Sequence, residues 1–256
     1  MEFFEFAYAK NFDAQIESLN QLARPERWNY MSDSSPYPYP ILRNYIFYTF
    51  KRLYALQSND NINYICFSEK DCCFNTGLFT PNFEQIYALF ISSYPGNDRD
   101  WFLKGFFKES SFELQHIRSL PQRAKYFDDI SNLIYDTDLD LRINIDHILD
   151  DDRNKARIPE QYRYLPNLPM LFKGAALQYA IVRIMENYKA AVPQIFNNRI
   201  QFLLPISLGD PQVVDLSLAV EKVGSIYTGR TCLTLDMAYN NARQIAKPES
   251  DWLVGT

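Results

Sequence analysis

Residues 221–252 read EKVGSIYTGRTCLTLDMAYNNARQIAKPESDW, and this stretch carries the clearest fold signals in the chain. Gly224-Ser225 predicts a hairpin turn between a strand over 215–223 and a strand over 226–233. Beyond the hairpin, apolar residues of 235–246 recur every three or four positions, which predicts an amphipathic helix. The stretch therefore predicts two antiparallel strands followed by a helix.

A line of polar side chains borders the apolar face of this predicted helix. At about 100° per residue, one narrow stripe holds Asp236, Asn240, Arg243 and Lys247. Asn is a poor helix former, so Asn240-Asn241 in mid-helix suggests a hydrogen-bonding task. The alternative is a surface helix whose solvated charges support one another.

Upstream of this stretch, predicted helices and strands do not alternate regularly. The predicted helices span 11–23, 41–57, 80–90 and 171–191, and a helical turn is expected over 121–127. The predicted strands span 64–68, 72–78, 101–108 and 199–208, and 141–149 fits either type. This order predicts an α+β fold in which helices flank a mixed or largely antiparallel sheet.

The length of 256 residues fits a single domain over 1–256. Within it, the charged, proline-containing segment 151–169 is a candidate lid or internal boundary. In that case the segment would join sub-lobes over 40–150 and 170–256. Residues 171–191 are apolar nearly all round, so we expect a central buried helix there.

Composition narrows the class of protein. A net charge of −5 disfavours broad binding to duplex DNA, which needs a basic field. There is no apolar run long enough to span a membrane, and the first residues do not resemble a signal peptide. No two of the four cysteines form a Cys-x-x-Cys pair, which favours free thiols in a reducing cytoplasm over a zinc site. We therefore expect a cytoplasmic protein with no membrane partner; the sequence predicts no oligomeric state.

No single motif is diagnostic, but one glycine turn could bind phosphate. Thr228-Gly229-Arg230 could place backbone N–H groups and a guanidinium beside an anion. The alternative is an ordinary β-bulge or turn. Cations inside or beside apolar segments also seek anions; these are Lys104, Arg123, Lys173 and Lys189.

Two acidic features suggest chemistry. Asp146-His147 could act as a general acid–base pair, although an isolated His is more often a structural hydrogen-bonding group. Clustered carboxylates could bind a divalent cation, and the cluster comprises Asp128, Asp129, Asp136, Asp138 and Asp140. The alternative is a set of solvated acidic turns, so the cofactor remains unknown.

Several segments together resemble one known family. They are CFNTGLFTPNFEQIYALF, WFLKGF, LPQRAKYFDD, LRINIDHIL, YKAAVPQ and TCLTLDMAYNNARQIAKPESDWL, of which LDMAYNNAR is the most specific. The chain is similar over nearly its whole length to a bacterial family catalogued as domain of unknown function 3825. The resemblance implies one domain of about this length and assigns no catalytic residue. Members of that family sometimes appear beside small nucleic-acid-binding modules.

Three functions fit these observations. The first is a domain that binds a nucleotide or an RNA end, with phosphate-ester chemistry as an option. Its ligand-binding residues would be Lys189, Tyr227, Arg230, Asp236, Asn240, Asn241, Arg243 and Lys247, and its acid–base pair Asp146 and His147. The second is a protein-interaction module that uses the aromatic loop around Tyr37-Pro38-Tyr39. The third is a small-molecule hydrolase that uses Asp146-His147.

Overall fold

The computed structural model describes residues 1–32, 35–57, 62–93 and 99–254. The chain divides into two compact units, Met1–Lys125 and Tyr126–Thr256. Each unit contains a five-stranded sheet of mixed direction with helices beside it, which confirms the predicted α+β class. The assignment of 1–256 to a single domain stays a prediction, and the segment 151–169 lies inside the second unit. The sequence PGNDRD over 95–100 also predicts a turn, and most of it lies outside the described residues.

The first unit has its strands in the order β1-β5-β4-β3-β2, with β1 parallel to β5 and the other pairs antiparallel. Its elements are α1 (Phe3–Phe6), β1 (Ala7–Tyr8), α2 (Phe12–Leu22), α3 (Pro40–Gln57), β2 (Ile65–Phe67), β3 (Asp71–Phe79), β4 (Gln85–Ser92) and β5 (Trp101–Lys108). The predicted helices 11–23 and 41–57 and the predicted hairpin 64–78 are confirmed. Gly105 in the middle of the predicted strand 101–108 suggests a bulge or a close approach of another group. β5 does contain a bulge, because Lys104 is skipped between Leu103 and Gly105 in the pairing with β4.

Aromatic side chains fill the core of this unit. Phe50 lies 5.5 Å from Phe3 and 5.7 Å from Phe74 between ring centroids, and Phe74 lies 5.8 Å from Phe90. A smaller cluster around Cys73, Tyr87, Leu89 and Leu114 covers another part of the sheet. Neighbouring residues of β3 and β4 are therefore buried on both faces of the sheet.

The predicted helix over 80–90 is wrong, because these residues form a hairpin loop followed by β4. The Thr80 N–H donates to the Glu84 carbonyl at 2.9 Å, and the Thr80 hydroxyl accepts from the Glu84 N–H at 3.2 Å. Phe83 has a positive φ of 66° inside this loop. The Thr-Pro pair that indicated a helix start therefore closes the turn between β3 and β4.

The second unit has its strands in the order β6-β10-β9-β8-β7, with β6 parallel to β10 and the other pairs antiparallel. Its strands are β6 (Asp140–Ile143), β7 (Val192–Phe196), β8 (Arg199–Ile206), β9 (Leu216–Val223) and β10 (Ile226–Leu233). Its helices are α4 (Ile145–Asp150), α5 (Asp152–Arg157), α6 (Glu160–Arg163), α7 (Leu168–Leu171), α8 (Leu177–Glu186), α9 (Leu235–Ala242) and α10 (Asp251–Val254). The C-terminal hairpin and the helix after it are thus confirmed, and 141–149 contains a strand end followed by a helix.

A π-helical turn, Phe172–Ala176, joins α7 to α8, and this helical segment covers one face of the sheet. Phe172, Ala176, Ala180 and Ile184 pack into the core, whereas Met185 is 70% exposed. The prediction of a helix buried all round is therefore wrong. The segment therefore buries only one side, the side that packs into the core with the strands.

Two further sequence predictions need correction. The segment 151–169 is not an irregular loop, since it contains α5, α6 and the start of α7, while its role as a lid stays a prediction. Residues 121–127 form no helical turn; instead the Gln122 N–H donates to the Asn63 carbonyl at 3.0 Å. The four cysteines are free thiols, as expected. Among the helices in the described part of the chain, none combines the length and apolar character needed to cross a membrane.

Candidate functional site

A cleft opens in the second unit where the two parallel strands, β6 and β10, separate. The strands pair up to Ile143 and Gly229, and the Asn144 N–H still donates to the Gly229 carbonyl at 3.0 Å. Beyond that bond, β6 turns into α4 while β10 continues toward α9. The cleft has a volume of about 350 Å³ and is lined by Arg142, Ile143, Asn144, Ile145, Asp146, Lys173, Thr228, Gly229 and Arg230. Ligands often lie at the carboxyl ends of parallel strands.

Three cations from three separate elements line this space, which we call the cationic cleft. Arg142 comes from β6, Lys173 from the π-helical turn and Arg230 from β10, and all three are exposed. Within residues 1–32, 35–57, 62–93 and 99–254, none of these three side chains forms a hydrogen bond or an ion pair. Among the described residues that line the cleft, only Asp146 has a carboxylate. Its side chains therefore carry an excess positive charge that a bound anion would neutralise.

A β-bulge presents Arg230 to the cleft. Gly229 pairs with Val220 and Thr231 pairs with Ala219, so Arg230 is an extra residue without a partner on β9. Bulges re-aim side chains and often occur beside functional sites. The alternative interpretation of Thr228-Gly229-Arg230 as a bulge is thus confirmed, and the same bulge places Arg230 at the cleft.

Asn154 of α5 fixes this bulge from behind. Its Nδ2 group donates to the Arg230 carbonyl at 3.4 Å and to the His147 carbonyl at 3.3 Å, while its Oδ1 accepts from the Cys232 N–H at 3.3 Å. Arg157 adds a bond of 2.8 Å from its guanidinium to the Cys232 carbonyl. Asn154 is 3% exposed, so these bonds form in a buried position. Sequence reasoning missed Asn154, because nothing distinguishes it from other amides in a charged segment.

The two residues of the predicted acid–base pair, Asp146 and His147, both lie on α4 but do not both line the cleft. Asn144 caps this helix, since its Oδ1 accepts from the His147 N–H at 3.1 Å. Asp146 lines the cationic cleft, but His147 is absent from its lining. Among the described residues no hydrogen bond joins the Asp146 carboxylate to the His147 ring. A catalytic role for the pair stays a prediction.

The predicted stripe on α9 lies elsewhere on the sheet. The helix begins with the Thr234 hydroxyl accepting from the Met237 N–H at 3.3 Å and ends at Ala242, before the predicted limit of 246. Asn240 and Arg243 are each only 9% exposed. The middle of the stripe is therefore buried, whereas Lys247 at its end is exposed.

Asn241 connects α9 to a line of side chains that we call the polar row. The Asn241 Nδ2 donates to the Gln194 Oε1 at 3.0 Å, and the Gln194 Nε2 donates to the Gln201 Oε1 at 2.9 Å. The Gln201 Nε2 then donates to the Glu221 Oε2 at 3.3 Å. The strand register extends the row across the whole sheet, through Gln194, Gln201, Glu221, Thr228 and Arg142. Asn240 joins it through a 3.4 Å bond to the Asn241 Oδ1.

The polar row also gives the distance between the predicted residues of α9 and those that line the cationic cleft. Four strand spacings of about 4.8 Å each separate Gln194 on β7 from Arg142 on β6, which gives about 19 Å. The α9 residues therefore sit beside the β7 edge of the sheet, and the cationic cleft lies at the β6 edge. Of the predicted site residues, the structure brings Asp146 and Arg230 together and adds Arg142 and Lys173.

The remaining predicted ligand residues lie outside the cleft. Tyr227 is 1% exposed, and its ring stacks on Tyr135 with 4.3 Å between centroids. Its hydroxyl accepts from the Asp136 N–H at 3.1 Å, and burial raises its pKa. Tyr227 is thus a core residue rather than a stacking surface. Lys189 and Lys247 are exposed and line no part of the cleft.

The acidic segment offers no multidentate metal site among the residues that the structure describes, because no three His, Cys, Asp or Glu side chains cluster there. Instead its carboxylates cap local turns. The Asp129 carboxylate accepts from the Ser131 N–H at 2.9 Å, and this bond lowers the Asp129 pKa. The Asp136 carboxylate likewise accepts from the Asp138 N–H at 3.1 Å.

The chain is thus an α+β protein with a cleft in its second unit that three cationic residues line. A protein-family model described as "Domain of unknown function (DUF3825)" matches residues 19–252. The chain therefore belongs to this family, as its sequence resemblance suggests. No curated protein and no solved structure matches the chain.

Proposed function

We propose that this protein binds a phosphate-bearing ligand, a nucleotide or an RNA end, in the cationic cleft. One observation carries the proposal: Arg142, Lys173 and Arg230 line the same cleft, and within the described residues none has an acidic partner. Guanidinium groups match phosphate geometry through paired N–H donors, and a lysine ammonium adds a mobile point charge.

Two local features support a binding role. Lys173 lies in a π-helical turn, a rare conformation that is frequent at functional sites. Arg230 lies on a bulge that a buried amide holds in place. Rigid placement of charged groups reduces the entropy lost on binding. The cationic groups are thus mounted on ordered backbone rather than on a long loop.

The experiment is a titration with adenosine monophosphate and with a short 5′-phosphorylated RNA, followed by calorimetry. We expect saturable binding that weakens on Arg230→Gln and on Lys173→Gln. Lys222→Gln is the matched control, because Lys222 is an exposed cation on β9 outside the cleft lining. Equal affinity in all three variants, or no binding of either probe at millimolar concentration, would refute the proposal.

The α9 residues receive a separate test, since the sequence also assigned them to the ligand. Lys247→Gln removes an exposed cation of that stripe without touching the cleft. We expect unchanged affinity. A loss as large as that of Arg230→Gln would return the stripe to the site.

The other two functions have less support. Without a hydrogen bond between Asp146 and His147 among the described residues, a hydrolase would need a rearrangement of α4. Tyr37 of the aromatic loop lies 4.5 Å from the Arg43 guanidinium, which gives that ring an intramolecular partner. An interaction role for this loop stays a prediction.

A further inference from the structure

We propose that the cationic cleft selects a terminal phosphomonoester over an internal phosphodiester. The inference rests on the proposed function and names the chemical class of the ligand. The cleft would therefore bind a phosphorylated RNA end or a mononucleotide tightly, and an internal phosphate of an RNA strand weakly.

Charge balance favours a phosphomonoester over a phosphodiester. The cleft carries the formal charges of Arg142, Lys173 and Arg230, reduced by that of Asp146, which leaves +2. A phosphomonoester carries about −1.5 to −2 at pH 7, so it neutralises this charge almost completely. An internal phosphodiester carries a single negative charge and would leave one cation without a counterion.

The number of cationic groups in the cleft also favours a phosphomonoester. The three cations come from three elements, β6, the π-helical turn and β10, and all three line the cleft. A monoester has three terminal oxygens, one for each cationic group, whereas a diester has only two non-bridging oxygens. Each charge-assisted bond contributes more than a neutral one, so the unused group would be a real loss for the diester.

Asp146 and the size of the cleft limit what else can bind. The Asp146 carboxylate repels additional anions, which disfavours a chain of consecutive phosphates, and it can accept from a hydroxyl of the attached sugar. The volume of about 350 Å³ is at the small end of ligand sites, which span roughly 300–1,000 Å³. One phosphate with its sugar fits this space better than several nucleotides do.

The inference also predicts a pH dependence that belongs to the ligand. The charged groups that face the cleft are Arg142, Asp146, Lys173 and Arg230. His147 of α4 is exposed and absent from the lining. A monoester gains a proton below about pH 6 and loses charge. Affinity for the monoester should therefore fall at low pH, while affinity for a diester should not.

The test uses one short RNA in three forms: with a 5′-phosphate, with a 3′-phosphate, and with hydroxyls at both ends. Fluorescence anisotropy at fixed salt gives the affinity of each form for the full chain. We expect one phosphorylated form, or both, to bind at least about tenfold more tightly than the hydroxyl form, as one added charge-assisted bond would give. The comparison of the two phosphorylated forms identifies the end that enters the cleft.

The outcomes separate the two proposals. Equal binding of all three forms, weakened by Arg230→Gln, would overturn the monoester preference and leave the phosphate site standing. No binding of any form would overturn both. Arg230→Gln, or Lys173→Gln if the first variant does not fold, should move the ratio of phosphorylated to hydroxyl affinity toward one. Lys222→Gln should leave the ratio unchanged, and a ratio unaffected by either cleft variant would also refute the inference.

Discussion

Substitution of the buried Asn154 tests whether its hydrogen bonds hold the β-bulge of Arg230 in place at the cleft. Replacing it with alanine removes three bonds to backbone groups, the Arg230 carbonyl, the His147 carbonyl and the Cys232 N–H. It also removes the 3.3 Å bond that the Asn154 Oδ1 accepts from the Arg157 guanidinium. These three backbone groups would lose a partner at a position that is only 3% exposed. The effect should therefore exceed that of deleting a surface amide.

The magnitude follows from the number of bonds lost. The three bonds to backbone groups contribute about 1 kcal/mol each net, so Asn154→Ala should lower the free energy of unfolding by at least about 3 kcal/mol. For a protein of this size, that corresponds to a decrease in melting temperature of about 6–12 °C. Asn167→Ala is the control, because Asn167 is exposed and makes no capping bond, and we expect a change within about 0.5 kcal/mol.

Two further measurements separate hydrogen bonding from packing. Asn154→Leu keeps a similar side-chain volume but makes none of the polar contacts, so it should destabilise the protein about as much as Asn154→Ala. Hydrogen exchange over 226–233 should accelerate in both variants, since the Cys232 N–H loses its acceptor. A loss below about 1 kcal/mol in Asn154→Ala, or recovery of stability in Asn154→Leu, would show that Asn154 does not anchor the bulge through hydrogen bonds.

Three further perturbations test other parts of the structure. Gly77 has φ of 76°, and a Cβ there would lie 2.7 Å from the Tyr45 hydroxyl, so Gly77→Ala should cost about 1–3 kcal/mol in chemical denaturation. A side-chain hydrogen bond from Lys108 is the main cause that lowers the pKa of Glu84 from 4.5 to about 2; its stabilisation is complete above pH 4.5 and disappears as pH falls through about 2. Glu84→Gln should therefore make the melting temperature depend less on pH in the acidic range. An unchanged pH dependence would contradict this. Burial raises the pKa of the Cys232 thiol to about 12, so a thiol reagent at pH 8 should label this residue only on unfolding, and labelling in the folded protein would exclude the packed position.

The sequence predicted those elements whose apolar pattern has a single period. The helices α2 and α3 bury residues at helical spacing, and both were expected within two residues of their observed limits. In β4, by contrast, the five residues from Ile86 to Phe90 are all buried, because both faces of that sheet are covered. A strand buried on both faces shows no alternation of apolar and polar residues. Thr80 followed by Pro is typical of a helix start, so a helix was predicted in place of β4.

The cleft could be predicted only in part, because convergence is a property of the tertiary fold. Arg230 and Asp146 were recognisable as a glycine-turn cation and an acidic neighbour of histidine, and Lys173 as a cation in an apolar segment. Arg142 carried no such signal, since a single charge on a short strand is common. Its role depends on the parallel pairing of β6 with β10, which joins segments more than 80 positions apart in the sequence.

The polar stripe of α9 shows why identical residue types can indicate two different tasks. Asn240 and Asn241 lie in the last turn of α9 rather than in mid-helix, and the hydrogen-bonding task expected for the pair is visible at Asn241, whose amide donates to Gln194, a residue that is 1% exposed on β7. The polar row that begins there passes through paired amides and the Glu221 carboxylate, and Glu221 also pairs with Arg199. At its other end, Arg142 has no such partner among the described residues. Side chains within the row thus satisfy one another, whereas the cation at the cleft edge retains the capacity to bind an anion.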